Sequence, residues 1–125
     1  MPDASSRVEM AGGVPVVKAP EEIDITNADG LREAMADAGA RGHETFVVDM
    51  TGTRFCDSSG LQALLRAYER ARDQGGRVIL AIPGPHILRI LAITGIDRVI
   101  PTAGSLDEAL AQIGAAKAAD EVAGT

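Results

Sequence analysis

Two adjacent serines, Ser58 and Ser59, stand between an aspartate and a glycine in the stretch Cys56-Asp57-Ser58-Ser59-Gly60-Leu61. The apolar run Thr45-Phe46-Val47-Val48-Asp49-Met50 ends just before it. Leu61, Leu64, Leu65 and Tyr68 follow at helical spacing. The hydroxyls therefore fall where a strand hands over to a helix. Such a position has free backbone N–H groups and the positive end of a helix dipole. It suits a cap, an anion site, or a hydroxyl presented to a partner's active site. A cap is the commonest of these, and Asp57 or Ser58 fits it, with Gly60 permitting close packing.

A catalytic serine needs a base, and the chain supplies little to choose from. It has no Gly-x-Ser-x-Gly elbow, and its histidines are His43 and His86. His43 lies beside Gly42 in a loop, and His86 lies beside Pro85 and Ile87 on a helix; both read as surface or packing residues. No Gly-x-x-x-x-Gly-Lys-Ser/Thr string cradles a phosphate. Asp49 and Asp57 lack the early acidic pair and later lysine of a phospho-accepting aspartate site. The lone Cys56 excludes an internal disulfide and a thiolate-cluster zinc site, and it reads as core rather than redox centre. On these residues no enzyme is expected, and neither a cofactor nor a metal.

Composition narrows the partners. Of the 125 residues, 46% are hydrophobic and 24% charged, the balance of one globular domain with a modest core. Aromatics are 2%, so the core is aliphatic and base-stacking platforms are hard to build. The formal net charge of −6 argues against a phosphate backbone as partner. No secretory h-region and no apolar run long enough to span a bilayer is present, so a cytoplasmic protein without membrane contact is expected.

The elements that position the serines follow from periodicity and punctuation. Residues 1–7 read as a loose N-terminus, 8–114 as the domain and 115–125 as a fraying tail. Val8–Met10 and Val14–Ala19 form a hairpin around Ala11-Gly12-Gly13. Glu21–Ile25 leads into a loop. Asn27 or Asp29 caps a helix to about Ala38 that Gly39 and Gly42 stop. Phe46–Met50 is a strand, and the helix after the serines ends at Gly75-Gly76. Arg77–Ile82 is a strand, Pro85 opens a helix that Gly95 closes, and Val99-Ile100 is a short last strand. Ser105 and Glu108 form a capping box for a final helix carrying Leu106, Leu110 and Ile113. Alternating strands and helices with short loops imply an α/β fold: a mixed, mostly parallel four- to five-stranded sheet, an N-terminal antiparallel hairpin and about four helices.

The stretch from Phe46 to Leu61 resembles the signature of bacterial anti-sigma factor antagonists, which are STAS domains. The resemblance extends through Gly76–Leu80 and Leu91-Ala92-Ile93-Thr94-Gly95-Ile96-Asp97, and spans about residues 8–113. Glu22-Ile23-Asp24 resembles the family's Gly-Glu-Leu/Ile-Asp element, and Asn27-Ala28 with Leu31–Ala34 its first helix. Pro20 and Glu21 stand where a glycine before the glutamate is usual.

The resemblance implies the STAS fold and a role. The hydroxyl directly after the aspartate, here Ser58, is the residue that a partner anti-sigma factor with serine kinase activity phosphorylates. The unphosphorylated protein binds that partner and frees a sigma factor; a phosphatase resets it. The implied partner surface comprises Asp57, Ser58, Ser59, Gly60 and Leu61, with Asp24 and Asn27 on a neighbouring loop. Gly60 is expected to leave room for close approach, and free N–H groups to tolerate a phosphate. Two other readings stay open: a STAS scaffold in a stress-signalling or lipid-transport complex without phosphorylation, and a nucleotide-binding STAS domain.

Overall fold

Gly12 and Gly13, both at positive φ, turn the chain between strand β1 (Arg7–Ala11) and strand β2 (Val14–Lys18), which pair antiparallel from Arg7↔Lys18 to Ala11↔Val14. The computed structural model describes residues 6–123. After β2 come β3 (Glu22–Ile23), α1 (Ala28–Arg41), β4 (Phe46–Asp49), β5 (Phe55–Cys56) and α2 (Ser58–Asp73). They are followed by β6 (Val78–Ala81), α3 (Pro85–Thr94), a 3₁₀ turn at Ile96–Arg98, β7 (Thr102–Ala103) and α4 (Leu106–Ala123).

The main sheet has the order β1-β2-β4-β6-β7, parallel everywhere beyond the hairpin. Strand residues alternate between its faces. Val17, Val48 and Leu80 join Leu31, Met35, Leu64 and Leu91 in one core under α1, α2 and α3. Val16, Val47 and Ile79 face the other way and pack on Ala109 and Ile113 of α4. Both faces are thus covered, which is why the central strands are continuous runs of apolar residues. The expected α/β class, the hairpin and the mostly parallel sheet all match this architecture.

Several expectations are corrected. The last strand is not Val99-Ile100 but Thr102–Ala103. The Val99 and Ile100 N–H groups both donate to the Ile96 carbonyl, so the β-branched pair is held in a turn; sheet pairing resumes when Pro101 accepts from the Leu80 N–H. Gly39 does not stop α1; it is buried inside the helix, where a Cβ would meet the Glu44 carboxylate at 2.6 Å, and Gly42 is the C-cap. Neither Asn27 nor Asp29 caps α1 with its side chain: Asn27 occupies the N-cap position without a capping bond, and Asp29 pairs with Arg32. The α2 face that reaches the core is Gly60, Ala63, Leu64 and Ala71, with Leu61, Leu65 and Tyr68 only half-buried. Of the segment expected to be loose, residues 1–5 lie outside the described residues and Arg7 already belongs to β1. The backbone of α4 continues through 115–123, where fraying was expected.

Segment β3, expected to lead into a loop and, by the resemblance, to end the second strand, is a separate strand that pairs with β5 in a two-stranded parallel ribbon. Pro20 sits where the chain leaves the main sheet for this ribbon, a point that asks no N–H of it. Its carbonyl accepts from the Thr53 hydroxyl at 2.9 Å, and the Glu21 carbonyl accepts from Arg54 N–H at 2.7 Å. Close to the same branch point, Lys18 Nζ donates to Asp49 Oδ2 at 2.8 Å. Burial pushes the Asp49 carboxyl up, but Lys18 and Thr51 outweigh it and hold it below the usual range; the Asp49 hydrogen bond raises Lys18.

Two outcomes are expected. Leu64, 1% exposed, should cost about 2–5 kcal/mol when truncated to alanine. Thermal and denaturant unfolding of Leu64→Ala measures this, and an unchanged midpoint would show the α2 face misassigned. The depressed Asp49 carboxyl contributes stability that is present above an ordinary carboxylate value of about 4 and is lost as pH falls through the folded value. Asp49→Asn should therefore lose about 1–2 kcal/mol at pH 7, given the half-exposed lysine, and the gap to wild type should close near pH 2. Urea unfolding of both proteins across this range reads it.

Candidate functional site

The serine motif sits at the start of α2, and its geometry is set by one carboxylate. Asp57, in extended backbone, is the N-cap. Its Oδ1 accepts from the Ser59 N–H at 2.9 Å, the Ser59 hydroxyl at 2.7 Å and the Gly60 N–H at 3.2 Å. The backbone of Ile25, in the β3–α1 loop, adds a lesser stabilising influence on this carboxylate. The Ser59 hydroxyl foremost, with these backbone donors, holds the Asp57 carboxyl below the usual range. Between Asp57 and Ser58 as caps, the structure selects Asp57.

The two serines therefore differ. Ser59 is half-buried and its hydroxyl is committed to Asp57. Ser58 is the first helical residue, exposed, and its hydroxyl has no partner among the described residues. The expectation of free N–H groups for an anion is corrected: Asp57 already takes those of Ser59 and Gly60, and the Leu61 N–H donates to the Asp57 carbonyl. The Ser58 N–H is the one left in the first turn.

Gly60 faces inward. A Cβ there would meet Ile23 Cγ2 at 2.5 Å and Cys56 Sγ at 2.7 Å. Its missing side chain lets α2 sit down on the β3–β5 ribbon, which corrects the expectation that it makes room for a partner. Leu61 is half-buried against the main core. Cys56 is 4% exposed, and burial, with the Asp57 charge added, pushes its thiol up to about 12. At neutral pH it is an unreactive thiol, as its reading as core implies.

Asp24 and Asn27 are brought beside the motif, since the Asp57 N–H donates to the Ile23 carbonyl at 3.0 Å. Their side chains shape the loop. Asp24 Oδ1 accepts from the Thr26 N–H and hydroxyl; Asn27 Oδ1 accepts from the Asp24 N–H and its Nδ2 donates to the Glu22 carbonyl. What this loop offers outward is a residue that periodicity missed: Ile25 is 79% exposed. Phe55, on β5 just ahead of the motif, is 46% exposed. An isoleucine between Asp24 and Thr26-Asn27 has no helical or strand period to flag it; the signal was an apolar residue isolated in a polar turn. Thr94-Gly95, the other part of the family pattern, closes α3 with Gly95 in left-handed backbone.

Among the described residues no helix is long and apolar enough to cross a membrane. Among the described residues the arrangement presents one unpartnered hydroxyl, that of Ser58, at a helix start, flanked by a hydrogen-bonded carboxylate and exposed apolar residues.

Comparison with known proteins places this arrangement in a lineage. The chain is 30% identical over 90 residues to the anti-sigma F factor antagonist of Paenibacillus polymyxa, spanning 71% of this chain and 77% of that one. A solved anti-sigma factor antagonist from Mycobacterium paratuberculosis is 32% identical, with a TM-score of 0.74 over 87% of this chain and 92% of that one. The Bacillus cell fate determinant SpoIIAA in its phosphorylated form shares the fold, with a TM-score of 0.66 at 22% identity over 87% of this chain and 99% of that one. The STAS domain model matches residues 5–109, and the chain belongs to the STAS domain family, alongside relatives named as anti-sigma factor antagonists.

Proposed function

We propose that this protein is an anti-sigma factor antagonist, a cytoplasmic binding protein and not an enzyme. Its unphosphorylated form captures an anti-sigma factor with serine kinase activity, and phosphorylation of Ser58 releases that partner until a phosphatase resets it. The observation that carries this reading is the Ser58 hydroxyl: exposed and without a partner among the described residues, beside a serine whose hydroxyl is committed to Asp57. The relatives named for antagonism of anti-sigma factors, and a fold neighbour solved in a phosphorylated form, support it.

The transfer joins Ser58 Oγ to the γ-phosphorus of the partner's ATP, breaks the bond from that phosphorus to its bridging oxygen, and releases ADP. The hydroxyl proton leaves to a base of the partner. Asp57 does not serve, because a carboxyl held below the usual range by its donors is a poor base at neutral pH. The added group carries about −1.5 to −2 charge. With the Ser59 and Gly60 donors already taken by Asp57, the phosphate is left on the surface next to a carboxylate. The free domain bears this in water. An interface closed over Ser58 has to desolvate two like charges, which costs far more. Ile25 and Phe55 supply the apolar contact that makes the unmodified surface attractive.

Incubation with the purified partner kinase and ATP should label wild type and Ser59→Ala and leave Ser58→Ala unlabelled. Full labelling of Ser58→Ala would remove the assignment. Ser58→Ala and Ser58→Glu should both fold within about 0.5 kcal/mol of wild type, since Ser58 is an exposed residue without a capping bond. In calorimetric titration Ser58→Ala should bind the partner, Ser58→Glu should bind at least about tenfold more weakly, and Ile25→Ser should also lose about tenfold. Equal affinity of folded Ser58→Glu and wild type would replace the switch with a scaffold role.

A further inference from the structure

Beside the middle turns of α2, away from its N-terminal serines, the two helices α1 and α2 leave a groove of about 150 Å³. Its floor is apolar: Met35 and Phe46 are each 2% exposed and Ala63 is 1% exposed. Ala36 and Ala67 on the facing helices are too small to fill it. Its rim is not apolar. Arg32, Arg66 and Arg70 line it against the single carboxylate of Glu44, on a chain whose formal net charge is −6.

The charges of this rim are unevenly matched. Glu44 is fixed at one end. It follows His43 in left-handed backbone, both at positive φ without being glycine, and its carboxylate lies over the α-carbon of Gly39 and 3.6 Å from Arg70. Arg32 pairs with Asp29, whose side chain is 90% exposed, a surface pair of little strength. Arg66 makes no ion pair among the described residues. The Arg66 guanidinium is thus open to an anion, with Arg32 beside it held only by an exposed surface pair, above a dent lined by hydrocarbon.

We propose that this groove binds small amphipathic carboxylates, with the carboxylate on Arg66 and Arg32 and a short alkyl chain against Met35, Phe46 and Ala63. Arginine is suited to the head, because its planar fork takes a carboxylate through two hydrogen bonds. The apolar floor suits a short alkyl chain. An inorganic anion would use the rim and leave the floor wet. An alcohol of equal length would use the floor and leave the arginines as they are. Only a ligand with both parts gains from both. The site does not depend on Ser58, so its occupancy is separable from the proposed partner switch.

The probe is sodium hexanoate, titrated into the intact protein by calorimetry and followed by amide NMR shifts, with acetate and hexanol as controls. Hexanoate should bind at least about tenfold more tightly than either control and shift the amides of Ala36, Ala63, Arg66 and Ala67. Arg66→Gln removes the head contact and Ala36→Leu fills the dent from an exposed position; each should weaken hexanoate about tenfold while circular dichroism stays that of wild type. Hexanoate no tighter than acetate or hexanol, or binding that both folded variants retain in full, would overturn the proposal.

Discussion

The Asp57 carboxylate is the constraint on which the site depends. One oxygen gathers three donors from the first turn of α2, and the residue's own N–H donates to the Ile23 carbonyl just ahead of the β3–α1 loop. Asp57 therefore both caps the helix and ties the preceding segment against it. Gly60 works from beneath. With Ile23 and Cys56 where its side chain would be, the helix start is lowered onto the β3–β5 ribbon. Cap above and contact below leave α2 one way to begin. The Ser58 hydroxyl is exposed at that beginning and has no partner among the described residues.

The larger fold supports this by making the C-terminal ends of β2 and β4 a branch point. Both strands are apolar through their length and end on Lys18 and Asp49, which are register partners and an ion pair. Beyond them the chain leaves the main sheet, and the short ribbon carries Ile23 and Cys56 to the place where α2 starts. A buried aspartate at this point is tolerated because Lys18 and the Thr51 N–H bond to it. The cost of burying it is met locally, so the core on either side stays hydrocarbon.

Most of this could be read from the residues, and what escaped did so for physical reasons. The hairpin was legible because Gly12-Gly13 is a turn signal between two apolar runs. The central strands were legible because residues such as Val47 and Val48 face opposite covered layers, so both had to be apolar. The ribbon was not: two residues per strand carry no period. Val99-Ile100 misled because local β preference lost to the bonds that a 3₁₀ turn makes with Ile96. Gly39 misled because a glycine is required for close packing as well as for termination, and sequence does not distinguish Glu44 pressing on a helix from a helix ending. In the site, the motif itself was visible, and the resemblance already singled out Ser58 from Ser59. Which of Asp57 and Ser58 capped was left open, because it depends on how the first-turn N–H groups and the Ser59 hydroxyl orient.

That cap has a consequence for how charge at Ser58 acts. A helix N-terminus ordinarily welcomes an anion because its first N–H groups lack partners. Here the aspartate has already claimed those of Ser59 and Gly60. A phosphate on Ser58 meets the same dipole but few donors, and it meets the carboxylate that took them. Its internal stabilisation is accordingly small, and so is any pull on the fold. The same crowding of negative charge is screened by water and salt when the surface is open and is unscreened when a partner covers it. If Ser58 is modified as proposed, the charge would change the free energy of a covered state far more than that of the free one. The proposed switch would need no conformational change, and a rigid helix start suits it better than a loop that could move its charge out of the way.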